Sequence, residues 1–269
     1  MTQEVKVYPL ASPWGRFSLY TFFIDAPEPA IVDSGIASSP AEGMAPALAA
    51  LGRRIADVRW ILLTHGHIDH VGGAYALREL TGGRAQVVIG AADAPLLRSR
   101  RAHVDEYLAG RGRYLRDADG AARVAAAALA VISGELEPAV LVTGGEVIPL
   151  GGGVTVSVHH LPGHTAGSVG YLLDGQRSVF AGDAVQIHGA ANGFPSYMDP
   201  SLYRASLEYL RDEGELYGQR LRSAGVDAVV SRYAGAGHGF VQHFCWIPEF
   251  SLVFAETAAF LGRRSPAAE

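Results

Sequence analysis

Short apolar runs broken by proline and glycine fill the first part of the chain. Three of them, at residues 5–10, 18–24 and 30–33, are rich in β-branched and aromatic side chains, which is typical of strands. Residues 40–51 instead carry Ala, Met and Leu at helical spacing. The pattern therefore predicts a sheet that begins with several short strands and is covered by a helix.

The spacing of apolar positions changes further along the chain. Strand-like runs at residues 59–63 and 86–89 are followed, from about residue 93 to residue 140, by apolar side chains that recur every three to four residues. This spacing predicts a helical insertion. Further strands are predicted at residues 146–150, 154–160, 168–173, 178–181 and 227–231, and helices at 200–211, 215–224 and 248–263.

This order of elements predicts an α+β fold. Two halves, each a sheet with helices on its outer face, would pack within a single domain that spans residues 1–269. The insertion carries six arginines between Arg98 and Arg116. Such a run is either a solvated helix face or the lining of a cleft for an acidic substrate, and the sequence leaves both open.

The segment Thr64-His-Gly-His-Ile-Asp-His70 places three imidazoles and a carboxylate between a predicted strand and a predicted helix. Buried polar groups need partners, so such a segment is unsuited to a core. Imidazoles and carboxylates are good ligands for borderline divalent metals such as zinc. We therefore expect His65, His67, Asp69 and His70 to bind metal rather than to form a solvated histidine-rich loop.

Further candidate ligands follow other predicted strands. His164 lies in a Pro-Gly turn, Asp183 follows a strand and a glycine, and His238 lies in a glycine-rich loop. A rigid turn projects its side chain from a fixed backbone, as a metal ligand requires. The sequence therefore offers histidines and carboxylates from four separate turns for one metal centre.

These motifs resemble, in type and in order, those of the metallo-β-lactamase superfamily. The resemblance rests on His65-x-His67-x-Asp69-His70, Pro162-Gly-His164-Thr165, Gly182-Asp183 and Gly237-His238-Gly239. It is strongest to the hydrolase branches, namely glyoxalase II, acyl-homoserine-lactone lactonases and acyl thioesterases. It implies a four-layer αββα sandwich with the metals at one edge of the two sheets.

The resemblance also implies a role for each candidate and two divalent ions as cofactors. Zinc is the first expectation, with iron and manganese as alternatives. Asp33 matches a carboxylate that accepts a hydrogen bond from a ligating imidazole and fixes its tautomer. One metal would be held by His65, His67 and His164, the second by Asp69, His70 and His238, and both would be bridged by Asp183.

The sequence departs from the family pattern in three places. The step of 94 residues from His70 to His164 is longer than in compact glyoxalase II-like chains, and the predicted insertion fills it. The usual Pro-Gly before the last histidine is Ala236-Gly237 here, so His243 competes with His238, which the glycine-rich loop favours. No obvious basic pocket for glutathione is present near the C-terminus.

The implied chemistry is hydrolysis of an acyl bond in a small molecule. Two divalent ions about 3.5–4 Å apart lower the pKa of a shared water and polarise a carbonyl group, so no serine or cysteine nucleophile is needed. Asp69 or Asp183 would move the proton to the leaving group. Weaker candidates for contact with the substrate are Tyr197, Tyr203 and His188.

Four functions are weighed on this basis. Residues 192–207 resemble the segment that follows the bridging carboxylate in family members acting on acyl thioesters, so hydrolysis of a thioester or related activated acyl ester is the first hypothesis. Lactone hydrolysis needs the same site with another pocket. A ligand-binding or regulatory protein with little turnover and a di-iron enzyme that uses oxygen stay open as well.

The bulk composition excludes several partners. A net charge of −5 without a basic patch argues against nucleic acid and gives no support to an anionic membrane surface. No run approaches the roughly 18 consecutive apolar residues of a membrane span. The N-terminus has no secretory pattern, so a cytoplasmic location is the default expectation, and a homodimer is left open. The single cysteine, Cys245, excludes an intramolecular disulfide.

Overall fold

The structure is a computed structural model that describes residues 5–111, 118–176, 178–185 and 196–223, together with 225, 252, 255–257 and 259. The predicted strand at 227–231 and the predicted helix at 248–263 lie wholly or mostly outside these residues. The candidates His188, His238 and His243 lie outside them as well.

The first sheet contains six strands in the order in which they occur along the chain. Its first three strands pair antiparallel, and its last four pair parallel. Parallel neighbours need long crossover connections, which the helices between these strands supply. The strands are β1 (Lys6–Trp14), β2 (Phe17–Asp25), β3 (Ala30–Val32), β4 (Trp60–Leu62), β5 (Gln86–Gly90) and β6 (Val140–Val142).

The second sheet contains four strands that are all antiparallel to their neighbours, in the order β10-β9-β8-β7. Short turns join them, as antiparallel pairing allows. The strands are β7 (Val147–Pro149), β8 (Thr155–His160), β9 (Val169–Leu173) and β10 (Ser178–Phe180).

Seven α-helices occur among the described residues, together with a π-helical turn at Pro40–Met44. None of the described helices is both long enough and apolar enough to cross a membrane. The helices are α1 (Ala45–Ala50), α2 (Ile68–Val71), α3 (Ala74–Leu80), α4 (Ala94–Arg98), α5 (Arg100–Arg111), α6 (Ala118–Ala130) and α7 (Pro200–Ser223).

Neighbouring residues of β4 explain why the chain forms layers. Ile61 points into one apolar cluster, which contains Leu48 of α1 and Leu77 of α3. Leu62 points into a second cluster, which contains Val156 and Tyr171 of the second sheet. Successive side chains of a strand face opposite sides of the sheet, so a continuous apolar run is buried on both faces. The first sheet is therefore packed between helices and the second sheet.

The predicted fold class is confirmed, since two sheets pack face to face with helices outside them. The predicted helical insertion corresponds to α4, α5 and α6, which lie between β5 and β6. Two details differ from the sequence-based expectation. The insertion ends in the strand β6, and the helices predicted at 200–211 and 215–224 are one continuous helix, α7. A single glycine in a helix costs only about 1 kcal/mol, so Gly214 does not end it.

Two arginines of the insertion form ion pairs within the fold. Arg98 forms a two-pronged ion pair with Glu137, and Arg101 contacts Asp105 one turn further along α5. These pairs are exposed and match the solvated-face interpretation.

The chain divides into two compact units. The first is Met1–Ala184 with Tyr197–Ser206, and it contains both sheets. The second is Val185–Ser196 with Leu207–Glu269, of which the structure describes chiefly the later part of α7. The assignment of residues 1–269 to a single domain stays a prediction.

Candidate metal centre

The candidate ligands lie directly after strands of the two sheets. β3 and β4 are parallel, so Asp33 and the segment from Thr64 to His70 follow their carboxyl ends at one edge of the first sheet. His164 follows β8 and Asp183 follows β10 in the second sheet. Val169 N donates to Thr64 O at 2.8 Å, which joins the edges of the two sheets.

Three imidazoles converge at this edge. His67 Nδ1 lies 2.8 Å from His164 Nε2, which lies 3.1 Å from His65 Nε2. One ring nitrogen from each side chain lies within 4.8 Å of the other two. His65 and His164 are buried and His67 is half-buried, so the rings are held by packing. We call these side chains the three-histidine group.

A second set of donors adjoins the first. His65, His70 and Asp183 also offer ligand atoms within 4.8 Å of one another. Asp183 Oδ1 lies 3.5 Å from His70 Nε2, and its other oxygen lies 3.4 Å from His164 Nε2. Asp69 Oδ2 lies 3.8 Å from His70 Nε2. The carboxylate of Asp183 thus faces both sets, as a bridging ligand would.

Asp33 organises the rings from behind. Its carboxylate accepts hydrogen bonds from Thr64 N at 2.8 Å, from Thr64 Oγ1 at 2.9 Å and from His70 Nδ1 at 2.8 Å. Because the Thr64 hydroxyl donates to Asp33, it can accept from His65 Nδ1, which lies 3.2 Å away. A neutral ring at either position then carries its proton on Nδ1, which leaves the Nε2 lone pair free to face a metal ion.

The backbone of Asp33 is itself unusual. Its φ of 63° is the only positive value at a non-glycine residue among the residues described. Aspartate and asparagine tolerate this left-handed conformation better than most residues. The carboxylate is therefore aimed at Thr64 and His70 by a conformation that few other side chains would accept.

Burial and mutual repulsion shift the pKa values of the rings. Burial, followed by repulsion from His164 and His70, lowers the pKa of His67 to about 3. Burial and the neighbouring rings also lower the pKa of His65 well below its ordinary value. Both rings are therefore neutral near pH 7, which is the form that binds metal.

The pKa of His70 moves the other way. Burial acts to lower it, but the carboxylates of Asp33, Asp69 and Asp183 outweigh burial and raise the pKa well above its ordinary value. Positive charge is therefore favoured beside these carboxylates. Neutral imidazoles next to acidic oxygens form a donor set that suits a borderline divalent cation such as zinc. The residues present thus fit the metal centre expected from the sequence.

Sequence reasoning missed one buried carboxylate, Asp93, which lies just after β5. It accepts hydrogen bonds from Gly66 N at 2.7 Å, Thr165 Oγ1 at 2.6 Å and Gly167 N at 2.8 Å. β5 is parallel to β4, so a carboxylate just after β5 falls at the same edge as Thr64. The position of an aspartate shortly after a predicted strand was the sequence feature that could have identified it.

The tyrosines predicted to contact substrate lie together. The rings of Tyr197 and Tyr203 are 5.4 Å apart. Tyr203 is buried, and its backbone packs so closely on Gly163 that a Cβ atom there would lie 2.1 Å from Tyr203 N. Packing therefore occupies Tyr203, while Tyr197 is exposed. Their contact with substrate stays a prediction, as do the metal roles of the other candidates.

Comparison with known proteins agrees with this geometry. A family model described as the metallo-beta-lactamase superfamily matches residues 15–216. A protein of Anaeromyxobacter dehalogenans named hydroxyacylglutathione hydrolase is 30% identical over 165 residues, which is 61% of this chain and 43% of that protein. One of the same name from Rhodopseudomonas palustris is 28% identical over 198 residues, 72% of this chain and 61% of that protein. The matches span less than two thirds of the length of either relative.

Solved structures share the fold. A metallo-beta-lactamase family protein from Thermus thermophilus is 21% identical with a TM-score of 0.61, over 77% of this chain and 69% of that one. A subclass B3 metallo-beta-lactamase of Bradyrhizobium japonicum is 21% identical with a TM-score of 0.51, over 90% of each chain. At this level of identity the likeness concerns the fold alone.

Proposed function

Because the chain belongs to the metallo-beta-lactamase superfamily, we propose that it is a metal-dependent hydrolase that cleaves a thioester or a related activated acyl ester. The observation that carries the proposal is the convergence of the three-histidine group with His70 and Asp183. Five potential ligands from separate parts of the chain meet at one edge of the two sheets. Burial of these polar side chains without a binding partner would be unfavourable.

Two divalent ions, zinc in the first instance, are proposed as cofactors. His65, His67 and His164 would hold one ion, and His70 with Asp69 would hold the second together with His238, which lies outside the described residues. Asp183 faces both sets and would bridge them. Divalent ions held there supply Lewis acidity, which lowers the pKa of water and polarises an acyl carbonyl.

The chain's own residues divide the remaining work. Asp33 holds the proton on His70 Nδ1 and, through Thr64, orients His65, so the rings keep one tautomer through a turnover. The side chains of Asp69 and Asp183 are 28% and 30% exposed, whereas the Asp33 side chain is 9% exposed. Asp69 and Asp183 are therefore the carboxylates that could pass a proton to a leaving group.

The thioester is favoured by the relatives. Those named hydroxyacylglutathione hydrolase act, by that name, on an acyl group joined to the sulfur of glutathione. A thiolate leaves more readily than an alkoxide, so a thioester needs less help from a proton donor at the leaving group. The substrate of this chain is accordingly proposed to be a small acyl thioester.

The test is a substrate panel on the zinc-loaded full chain. We expect thiol release from a hydroxyacyl-glutathione or an acyl-coenzyme A thioester, and little cleavage of a lactone or a β-lactam. Lactone opening without thiol release would show that the substrate is a lactone and not a thioester. Bound metal without hydrolysis of any member of the panel would contradict the proposed activity.

A matched pair of variants links the activity to the cluster. His164→Ala should lose more than about a hundredfold in activity together with bound metal, since even the outer partners of ligands are worth about 10–100-fold. His160→Gln is the control, because His160 is an exposed histidine at the end of β8 whose Nε2 lies 3.2 Å from the carbonyl oxygen of Ala166. Equal activity in the two variants would show that His164 is not required for the reaction.

A further inference from the structure

The peptide groups on both sides of Gly66 form hydrogen bonds with buried side chains. Gly66 lies between His65 and His67. Its amide N donates to Asp93 Oδ2 at 2.7 Å, and its carbonyl O lies 2.6 Å from His103 Nε2, which must be the donor. Asp93 is 3% exposed and His103 is 1% exposed. The backbone between two proposed ligands is thus hydrogen-bonded on both sides to buried side chains.

Asp93 reaches the third histidine as well. Its Oδ2 also accepts from Thr165 Oγ1 at 2.6 Å, and its Oδ1 accepts from Gly167 N at 2.8 Å. Thr165 directly follows His164. A single carboxylate therefore joins the two loops that together provide the three-histidine group, although these loops belong to different sheets.

Close packing makes this arrangement specific. A Cβ atom on Gly66 would lie 2.6 Å from Leu96 Cδ1 and 3.1 Å from Asp93 Cβ, so only glycine brings the peptide this close. A Cβ atom on Gly167 would lie 2.5 Å from Asp93 N. The carboxylate is buried among donors, which is the condition under which a buried charge is tolerated.

His103 brings the helical insertion into the same arrangement. His103 lies on α5, and its side chain is buried. The other end of the insertion also contacts the segment that carries the cluster, because Ser133 N donates to Gly72 O at 2.7 Å. The insertion thus contacts the ligand-bearing segment at Gly66, before α2, and at Gly72, directly after α2.

We propose that Asp93 and His103 are positioning residues that hold the three-histidine group in its ligand geometry. They act through the peptide of Gly66 and, for Asp93, through Thr165 and Gly167. This inference rests on the metal site of the proposed function. It assigns to the insertion an indirect part in metal binding, through the backbone that carries the ligands.

The substitutions follow from the hydrogen-bond pattern. Asp93→Asn keeps the size of the side chain, but its amide group must face either Gly66 N or Gly167 N, so one donor meets another donor. His103→Leu removes the donor to Gly66 O. His103→Gln places a nitrogen donor near the position of Nε2, so it should restore what leucine removes.

The measurement is zinc affinity, obtained by competition with a chromophoric chelator, with the thermal midpoint of the metal-free protein recorded in parallel. Asp93→Asn and His103→Leu should weaken zinc binding by about 10–100-fold, as do other partners that orient ligands. His103→Gln should lie near wild type. Thr165→Val, which deletes one bond to Asp93 without a change of charge, should show a smaller loss and serves if Asp93→Asn does not fold.

Asp174→Asn is the control. Asp174 also accepts two hydrogen bonds, from Thr155 Oγ1 at 2.6 Å and Ser157 Oγ at 2.7 Å, but it lies beyond the far end of β9. It should lower the thermal midpoint and leave zinc affinity unchanged. Variants of Asp93 and His103 that likewise lose thermal stability but bind zinc within twofold of wild type would overturn the positioning role. A wild-type chain that binds no zinc would contradict the proposed function itself.

Discussion

Replacing Asp33 tests whether the network behind the rings stabilises the fold. Asp33→Ala removes the acceptor of Thr64 N, Thr64 Oγ1 and His70 Nδ1, all within 3.0 Å. It also leaves alanine at a φ of 63°. Hydrogen bonds to a charged acceptor contribute about 1.5–3 kcal/mol each, and the left-handed backbone costs alanine about 1–2 kcal/mol more.

These contributions do not add fully, because the three bonds share one carboxylate. We therefore expect Asp33→Ala to lower the free energy of unfolding by at least about 4 kcal/mol. Asp33→Asn keeps one oxygen for Thr64 N and tolerates the left-handed backbone, so its loss should be smaller by about 2 kcal/mol.

The assay is urea unfolding of the metal-free protein at pH 7, which separates stability from metal binding. Asp174→Ala is the control, since this residue accepts two hydroxyl bonds at a half-buried position, where water can replace them, and has an ordinary backbone conformation, so its loss should cost only about 1–2 kcal/mol. A loss below about 1 kcal/mol for Asp33→Ala, or equal losses for alanine and asparagine, would refute the reasoning.

Three further predictions concern pH and packing. The pKa of His67 is about 3 in the fold, below its ordinary value of 6.5, so the unfolded chain takes up a proton first on acidification. The free energy of unfolding of the metal-free protein should therefore fall by about 1 kcal/mol between pH 6 and pH 5 because of this ring. His70, whose pKa is raised, contributes almost the same stability at both pH values. A free energy of unfolding, measured in urea, that does not change between these pH values would be inconsistent with neutral buried rings. Gly90→Ala drives a Cβ into the carbonyl of Gly167 and should cost about 1–3 kcal/mol, and a neutral effect on the thermal midpoint would show that this contact can relax. Arg98→Ala breaks an exposed pair with Glu137 and should cost less than about 1 kcal/mol, whereas a larger loss would mean that the pair is structural.

The sequence was sufficient for the local features of the centre. Apolar runs such as the one ending at Leu63 predict strands, and ligand-type residues directly after a strand fall at its carboxyl end. His65, His67 and His70 are also close in sequence, so their proximity required no knowledge of the fold.

Other features depend on contacts between distant residues. Asp93 is 27 positions from Gly66 and 74 from Gly167, and its role follows only from the pairing of β5 beside β4 and of the first sheet against the second. His103 acquires its bond to Gly66 O because α5 packs there, which no periodicity predicts. The strand β6 was missed because three residues are too few to show alternation.

The central claim is that two neighbouring metal ions are held by the converging imidazoles and carboxylates. Anomalous diffraction at the zinc edge from crystals of the zinc-loaded full chain tests it most directly. The account predicts two peaks, one about 2.0–2.1 Å from ring nitrogens of the three-histidine group and one beside His70 and Asp183. Full zinc occupancy elsewhere, with no peak between these side chains, would contradict it.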